Sequence, residues 1–268
     1  MLLTRSPIRG PLTLGPMDNT TGLHPSDGHS ASAAQGFGAE PLDDVAVRFD
    51  AVGMRYGRAP EVLTDLSFEL RSGSFHFLTG ASGAGKTSLL SLIYLANRPS
   101  RGLISVFDRD TATLRHDALP AFRRRMGVAY EDIRLLDHLN AFDNVALPLR
   151  LARSNPKTWR KDVTELLAWF GLGERSQAMP ATLSGGERKR LGLARAIVGR
   201  PELILADEPT AHVDPAMGAR IMRLLAHLAR QGSTVIVATH DVNLVAGSGH
   251  PVMHLDEGCL TLYPRGVG

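Results

Sequence analysis

The stretch from Phe75 to Ala96, FHFLTGASGAGKTSLLSLIYLA, constrains this chain more than any other. A short apolar run leads into a glycine-rich turn, which leads straight into an apolar helical pattern. Within the turn, Gly80, Ala81, Ser82, Gly83, Ala84, Gly85, Lys86 and Thr87 fit the spacing G-x-x-x-x-G-K-[ST]. Glycines at 80, 83 and 85 let backbone N–H groups curl around a polyphosphate, and the helix beginning near Lys86 adds the positive end of its dipole. Lys86 is expected to reach the terminal phosphates and the Thr87 hydroxyl to ligate an accompanying magnesium ion. Gly80 to Ser88 is therefore the expected nucleotide-binding segment. A chance glycine-rich turn would not need a strand before it and a helix after it.

At 268 residues and 43% hydrophobic side chains, the chain can bury a real core. Its longest apolar stretch, Leu89 to Ala96, is too short to span a bilayer. The start, MLLTRSPIRG, lacks the apolar core of a secretory signal, and the single cysteine, Cys259, rules out an internal disulfide framework. Both point to the cytoplasm. Residues 1–44 carry two basic and five acidic side chains, and the remainder 28 basic and 22 acidic, a net of +6. Basic clusters at Arg123 to Arg125 and Arg188 to Arg190 read as solvated faces or as attraction to an anionic membrane surface. No aromatic residues interleave with them, which argues against a nucleic-acid partner.

Residues 1–44, rich in Pro, Gly, Ser, Ala and Thr, read as a disordered leader or a mis-assigned start, with Met17 as an alternative beginning. Strands are expected at Val45 to Val52, Leu66 to Leu70, Phe75 to Thr79 and Gly102 to Phe107. A helical insert follows at about 135–195, in which Val163, Leu166, Leu167 and Phe170 keep helical spacing until Gly171 and Gly173. Glu202 to Ala206 reads as an apolar strand, Pro215 to Arg230 as a long helix, and Thr234 to Thr239 as the last buried strand.

The strand Leu203 to Ala206 runs directly into Asp207 and Glu208. Downstream of a phosphate loop, the first acid is expected to hold magnesium and the second to polarise an attacking water; a solvated strand end is the plain alternative. Leu183, Ser184, Gly185, Gly186 and Glu187 precede a second helical pattern, whose N-terminus could bind an anion or simply be a cap. His240, after Thr239, could donate to a γ-phosphate, and Tyr56 could stack on a base or merely end a strand.

In this order the phosphate loop, LSGGE, LILADE and His240 resemble the ATP-binding-cassette ATPases over about residues 45–262. Within that superfamily, FLTGASGAGKTSLLSLIY, RRRMGVAYEDIRLLDHLNAFDNVALPL and LADEPT are similar to the FtsE family of bacterial cell-division ATPases. The resemblance implies an α/β fold: a RecA-like phosphate-loop core, an antiparallel β subdomain and a helical insert subdomain, within a domain at 45–264. It also implies ATP and Mg2+ as ligands, and two chains facing head to tail. Each ATP would then lie between the phosphate loop of one chain and the turn Ser184 to Gly186 of the other. Tyr56 would stack on the adenine, Thr87 and Asp207 would hold magnesium, Glu208 would polarise water and His240 would meet the γ-phosphate. Asp214 would lie in the loop linking the two sites. An integral partner resembling FtsX would hold the protein at the inner face of the bacterial membrane and pass its closure on to peptidoglycan hydrolases. The expected docking surface is Asp132 to Leu149, through exposed Leu135, Leu136, Leu139 and Phe142.

One departure stands out. Glu131 occupies the position where the family usually carries a magnesium-touching glutamine, adding negative charge beside the phosphates. Arg188 and Lys189 also replace common glutamines. The alternative functions are an exporter ATPase for lipoprotein release or macrolide efflux, which would share every motif, and a non-hydrolysing ATP-binding switch.

Overall fold

The computed structural model describes residues 44–152 and 154–264; the expected leader, apart from Asp44, lies outside the described residues. Two sheets organise the fold. The first strand, β1 (Val45–Arg55), pairs antiparallel with β2 (Glu61–Arg71) and with β4 (Arg101–Val106), and β4 pairs with the short β5 (Arg109–Asp110). The second sheet has the order β10-β9-β3-β8-β7-β6. Its strands β3 (Phe75–Thr79), β6 (Met126–Ala129), β7 (Leu203–Asp207), β8 (Thr234–Ala238) and β9 (Val252–Asp256) are parallel. Only the edge strand β10 (Cys259–Tyr263) runs antiparallel.

The parallel strands read as unbroken apolar runs because both faces are covered. Alternate residues point to opposite sides. Ile204 and Ala206 of β7, with Val235 and Val237 of β8, join a core shared with the helices α3 (Ala141–Leu151), α4 (Pro156–Trp169), α5 (Gly185–Ile197) and α6 (Pro215–Arg230). Leu203, Leu205, Ile236 and Ala238 face the other way, into a core shared with α1 (Lys86–Ile93) and the antiparallel sheet. The central sheet is thus a wall between two apolar clusters.

The helices follow from local chemistry. Asn155 caps α4 by accepting from Lys157 N, with Pro156 at the first helical position, where its missing N–H costs nothing. Gly171, at φ 68°, takes the chain out of α4, and Phe170 and Leu172 are fully buried on either side. In α6, Asp214 caps the start, and buried Ile221, Leu224, Leu225 and Leu228 recur at helical spacing.

The six-stranded sheet corrects one expectation. Thr239 to Asp241 does not follow the last buried strand, because β9 comes later and pairs with β3. The run VMHLD carries a mid-strand histidine and ends in an acid, so it looked less apolar than its neighbours. The basic clusters also differ from simple solvated faces. Arg125 makes a bidentate pair with Glu202, both contacts at 2.7 Å, and its guanidinium lies 3.9 Å over the Phe107 ring. Arg123 donates to the carbonyl of Leu95, and Lys189 is buried. No helix among the described residues is long and apolar enough to cross a membrane.

Candidate functional site

The carboxyl ends of β3, β6, β7 and β8 converge, and the sequence-predicted residues leave the fold there. In an open parallel sheet this edge is where ligands bind, because loops turn away in opposite directions and leave a crevice. The loop after β3 needs glycine at position 80, where φ is 146° and an added Cβ would come 2.2 Å from the carbonyl oxygen of Leu255. Lys86 opens α1, and its ammonium donates to the carbonyls of Gly80 at 2.7 Å and Ala81 at 2.9 Å. The cation is therefore folded over its own loop, with hydrogen bonds that a phosphate oxygen could replace. Ser82 and Gly83 lie at the exposed tip, followed by half-buried Ala84 and Gly85.

Thr87 donates from Oγ1 to Oδ2 of Asp207 at 3.2 Å, joining the first turn of α1 to the end of β7. Burial raises the Asp207 pKa, and the charges of Glu131 and Glu208 raise it further, while the Thr87 hydrogen bond and the Lys189 charge oppose them. Among the described residues no group of three or more His, Cys, Asp or Glu side chains is arranged to hold a metal. A hydroxyl beside one carboxylate nevertheless fits magnesium, which commonly takes one or two protein oxygens and completes its shell with phosphates and water.

Glu208 leaves β7 in the left-handed region, at φ 48°, and is buried. Its carboxylate accepts from the backbone N–H of His240 at 2.9 Å and from the Thr239 hydroxyl at 3.1 Å, and lies 2.6 Å from His240 Nδ1. The sequence did not single out Thr239 as this partner, although a hydroxyl two residues before an aspartate at a strand end is a turn-forming signal. A second missed residue is His254, whose Nδ1 lies 2.9 Å from Thr79 Oγ1 behind the phosphate loop.

Tyr56 is half exposed, with its hydroxyl 3.0 Å from Ser88 Oγ, so its ring stands beside the loop-bearing helix. Glu131 is exposed in the bend after β6. Ser184 caps α5 in a capping box: its hydroxyl accepts from Glu187 N at 3.2 Å while Glu187 accepts from Ser184 N at 2.7 Å. These bonds hold the Glu187 pKa below the usual carboxylate range. Gly185 follows in the first turn, and at Gly186 a Cβ would come 2.9 Å from the carbonyl of His212. Asp214 is spent as the cap of α6, accepting from Met217 N at 2.9 Å.

The docking surface is narrower than expected. Leu136 is exposed, but Leu135 and Phe142 pack against the helical core, Phe142 6.2 Å from the Trp159 ring, and Leu139 is half-buried. Leucine spacing alone does not separate the outer face of this loop from the inner. A groove of about 860 Å³ lies alongside, lined by Leu136, Leu147, Pro148, Leu151, Arg124 and Arg134 among others.

The family model described as ABC transporter matches residues 63–211. The cell division ATP-binding protein FtsE of Escherichia coli K12 is 39% identical over 80% of this chain and 96% of its own length. The protein of the same name from Bacillus subtilis is 34% identical over 76% of this chain and 90% of its own. Among solved structures, the dimeric ABC transporter cassette MJ0796 aligns with a TM-score of 0.77 at 31% identity, covering 83% of this chain and 99% of that one. A dimeric post-hydrolysis state of MJ0796 bound to ADP and Pi gives 0.76, also at 31% identity.

Proposed function

The chain belongs to the ABC transporter family and is an ATPase, and from that premise we propose that it drives a bacterial cell-division complex of the FtsE–FtsX kind. Its partner would be an integral membrane protein resembling FtsX. The enzyme would sit at the cytoplasmic face of the inner membrane, where ATP-driven closure of a head-to-tail pair activates peptidoglycan hydrolases. The observation that carries the reading is the contact set at one sheet edge: Thr87 with Asp207, and Glu208 with His240. Identity with FtsE over nearly the whole of that protein supports the choice of complex.

In this reading Tyr56 stacks on the adenine, and the backbone of Gly80 to Gly85 surrounds the phosphates. Lys86 exchanges its two carbonyls for phosphate oxygens. Thr87 and Asp207, with Glu131 nearby, hold the magnesium, which when bound offsets the charge of the phosphates. Glu208, fixed by Thr239 and His240, orients and polarises the water, and His240 contacts the γ-phosphate as it is cleaved. Ser184, Gly185 and Gly186 offer a pre-formed helix start to the nucleotide held by the second copy. Asp214 fixes the chain between the two sites by capping α6.

The partner would enter the groove beside Leu136 and Leu151, both exposed apolar side chains. The test is capture of the full-length protein from detergent-solubilised membranes, with the integral partner identified by mass spectrometry. Recovery of a membrane protein with a large extracytoplasmic loop and no transport pathway is expected. Recovery of an exporter permease would overturn the division role and leave the ATPase intact.

A further inference from the structure

One buried charge has no part in that mechanism. Lys189 lies in the second turn of α5 and is 6% exposed, the only buried lysine among the described residues. Its ammonium donates to the carbonyl oxygens of Glu131 at 3.2 Å and Asp207 at 3.3 Å, and lies 3.5 Å from that of Tyr130. It therefore ties three segments together: the helix that begins with the Ser184 turn, the bend after β6 and the end of β7. The last two leave neighbouring strands, with Ala129 paired to Ala206.

Taking an ammonium out of water costs several kcal/mol unless opposite charge and hydrogen bonds repay it. Here burial lowers the Lys189 pKa, while the charges of Asp207, Glu131, Glu208 and Asp132 act in the opposite direction. Glu131 in turn raises the pKa of Asp207, so it strains the carboxylate that should stay ionised to hold a metal. A cation beneath both relieves that strain. Glu131 and Lys189 each stand where a neutral glutamine is usual, and their added charges are equal and opposite.

We propose that Lys189 is a positioning residue that serves as the internal counter-charge to Glu131, and that through it the signature helix α5 is anchored to the magnesium edge of its own chain. The inference rests on the ATPase reading of this edge. In effect the chain has replaced a neutral pair by an ion pair working through the backbone, so neither substitution stands well alone.

The test is a double-mutant cycle on the full-length protein: wild type, Glu131→Gln, Lys189→Gln and both together. Gln at 189 can still donate to the carbonyls, so a purely structural role would be largely preserved. Two readouts are taken: melting temperature without nucleotide, and affinity for a fluorescent ATP analogue with magnesium and with EDTA. Lys189→Gln alone is expected to weaken magnesium-dependent binding about tenfold, and the loss should shrink to about threefold or less when Glu131→Gln is also present. The melting temperature should show the same dependence on partner, a drop of about 5 °C that at least halves in the double variant. Equal losses with and without Glu131→Gln, or no loss at all, would overturn the pairing. Because the melting cycle needs no nucleotide, a wild type that fails to bind ATP would sink the ATPase reading without deciding this one.

Discussion

Oε1 of Glu208 lies 2.6 Å from Nδ1 of His240, and the same oxygen accepts the His240 backbone N–H at 2.9 Å. Glu208 is buried, whereas the His240 side chain is largely exposed, so the fixed member orients the mobile one. A water held against Glu208 would meet a base whose other oxygen is already engaged by Thr239.

Glu208→Gln should therefore keep the loop and its nucleotide affinity while slowing ATP turnover by about 10²- to 10⁴-fold, the usual worth of a positioned base. Phosphate release and binding of a fluorescent ATP analogue measure the two separately. Size-exclusion chromatography in ATP should then show an accumulated dimer, since the state that hydrolysis would open no longer turns over. A variant that hydrolyses at the wild-type rate would remove Glu208 from the role proposed for it.

Lys86→Ala is expected to abolish nucleotide binding at micromolar ATP rather than only slow its cleavage. The ammonium is the charged group that bridges the two carbonyls of the loop, Gly80 and Ala81, and no other lysine lies in such a turn. Removing a cation from a polyphosphate site costs the charge-assisted contacts outright. Equilibrium dialysis with labelled ATP would register the loss, and the melting temperature of the nucleotide-free protein should change little.

Stability should fall on the acid side for a reason remote from the site. His76, on β3, has its pKa lowered to about 4 by burial and, secondarily, by the nearby charge of His250. Because the native state keeps the imidazole neutral while the unfolded chain protonates it near 6.5, its contribution is complete above pH 6.5. It is lost as pH falls toward 4, by at most about 3 kcal/mol. Replacing His76 by Gln should flatten the melting temperature profile between those limits. An unchanged profile would show that other groups govern the acid limb.

Arg125→Ala should cost about 1–3 kcal/mol, because it removes a bidentate partner of Glu202 and a guanidinium stacked 3.9 Å over Phe107. Arg124→Ala, one residue away at the exposed groove, should leave the unfolding free energy within about 0.5 kcal/mol of wild type. Chemical denaturation of the two variants gives the comparison directly.

The phosphate loop and the acids after Leu203 to Ala206 were legible because their backbone demands are local. A strand must end, a glycine must bend, and a helix must start, all within a dozen residues. The helix Pro215–Arg230 was equally legible, since Asp214, Pro215 and Gly232 punctuate a regular apolar stripe. What escaped was settled by tertiary pairing. Strand β6 is four residues long and holds its place only through Leu203 to Ala206 of its neighbour. Strand β9 carries His254 toward Thr79, a partner 175 positions earlier. Phe142 and Leu136 share a spacing and an apolar character, yet Trp159 buries one and leaves the other outside. Lys189 looked like part of a basic surface run because nothing in its neighbours announces the three carbonyls that enclose it.

The central sheet, buried on both faces and packed between two separate cores, is the stiffest part of the molecule, and close-packed interiors yield little to small loads. Motion between the nucleotide and a partner on the helical side must therefore go around its edge rather than through it. The route is short: the bend at Tyr130 to Ile133 and the turn at Glu208 to Asp214, with Lys189 strapped to the first and to the strand end just ahead of the second. The protein works like a gate hung on a rigid post, whose two hinge pins are loops of only a few residues.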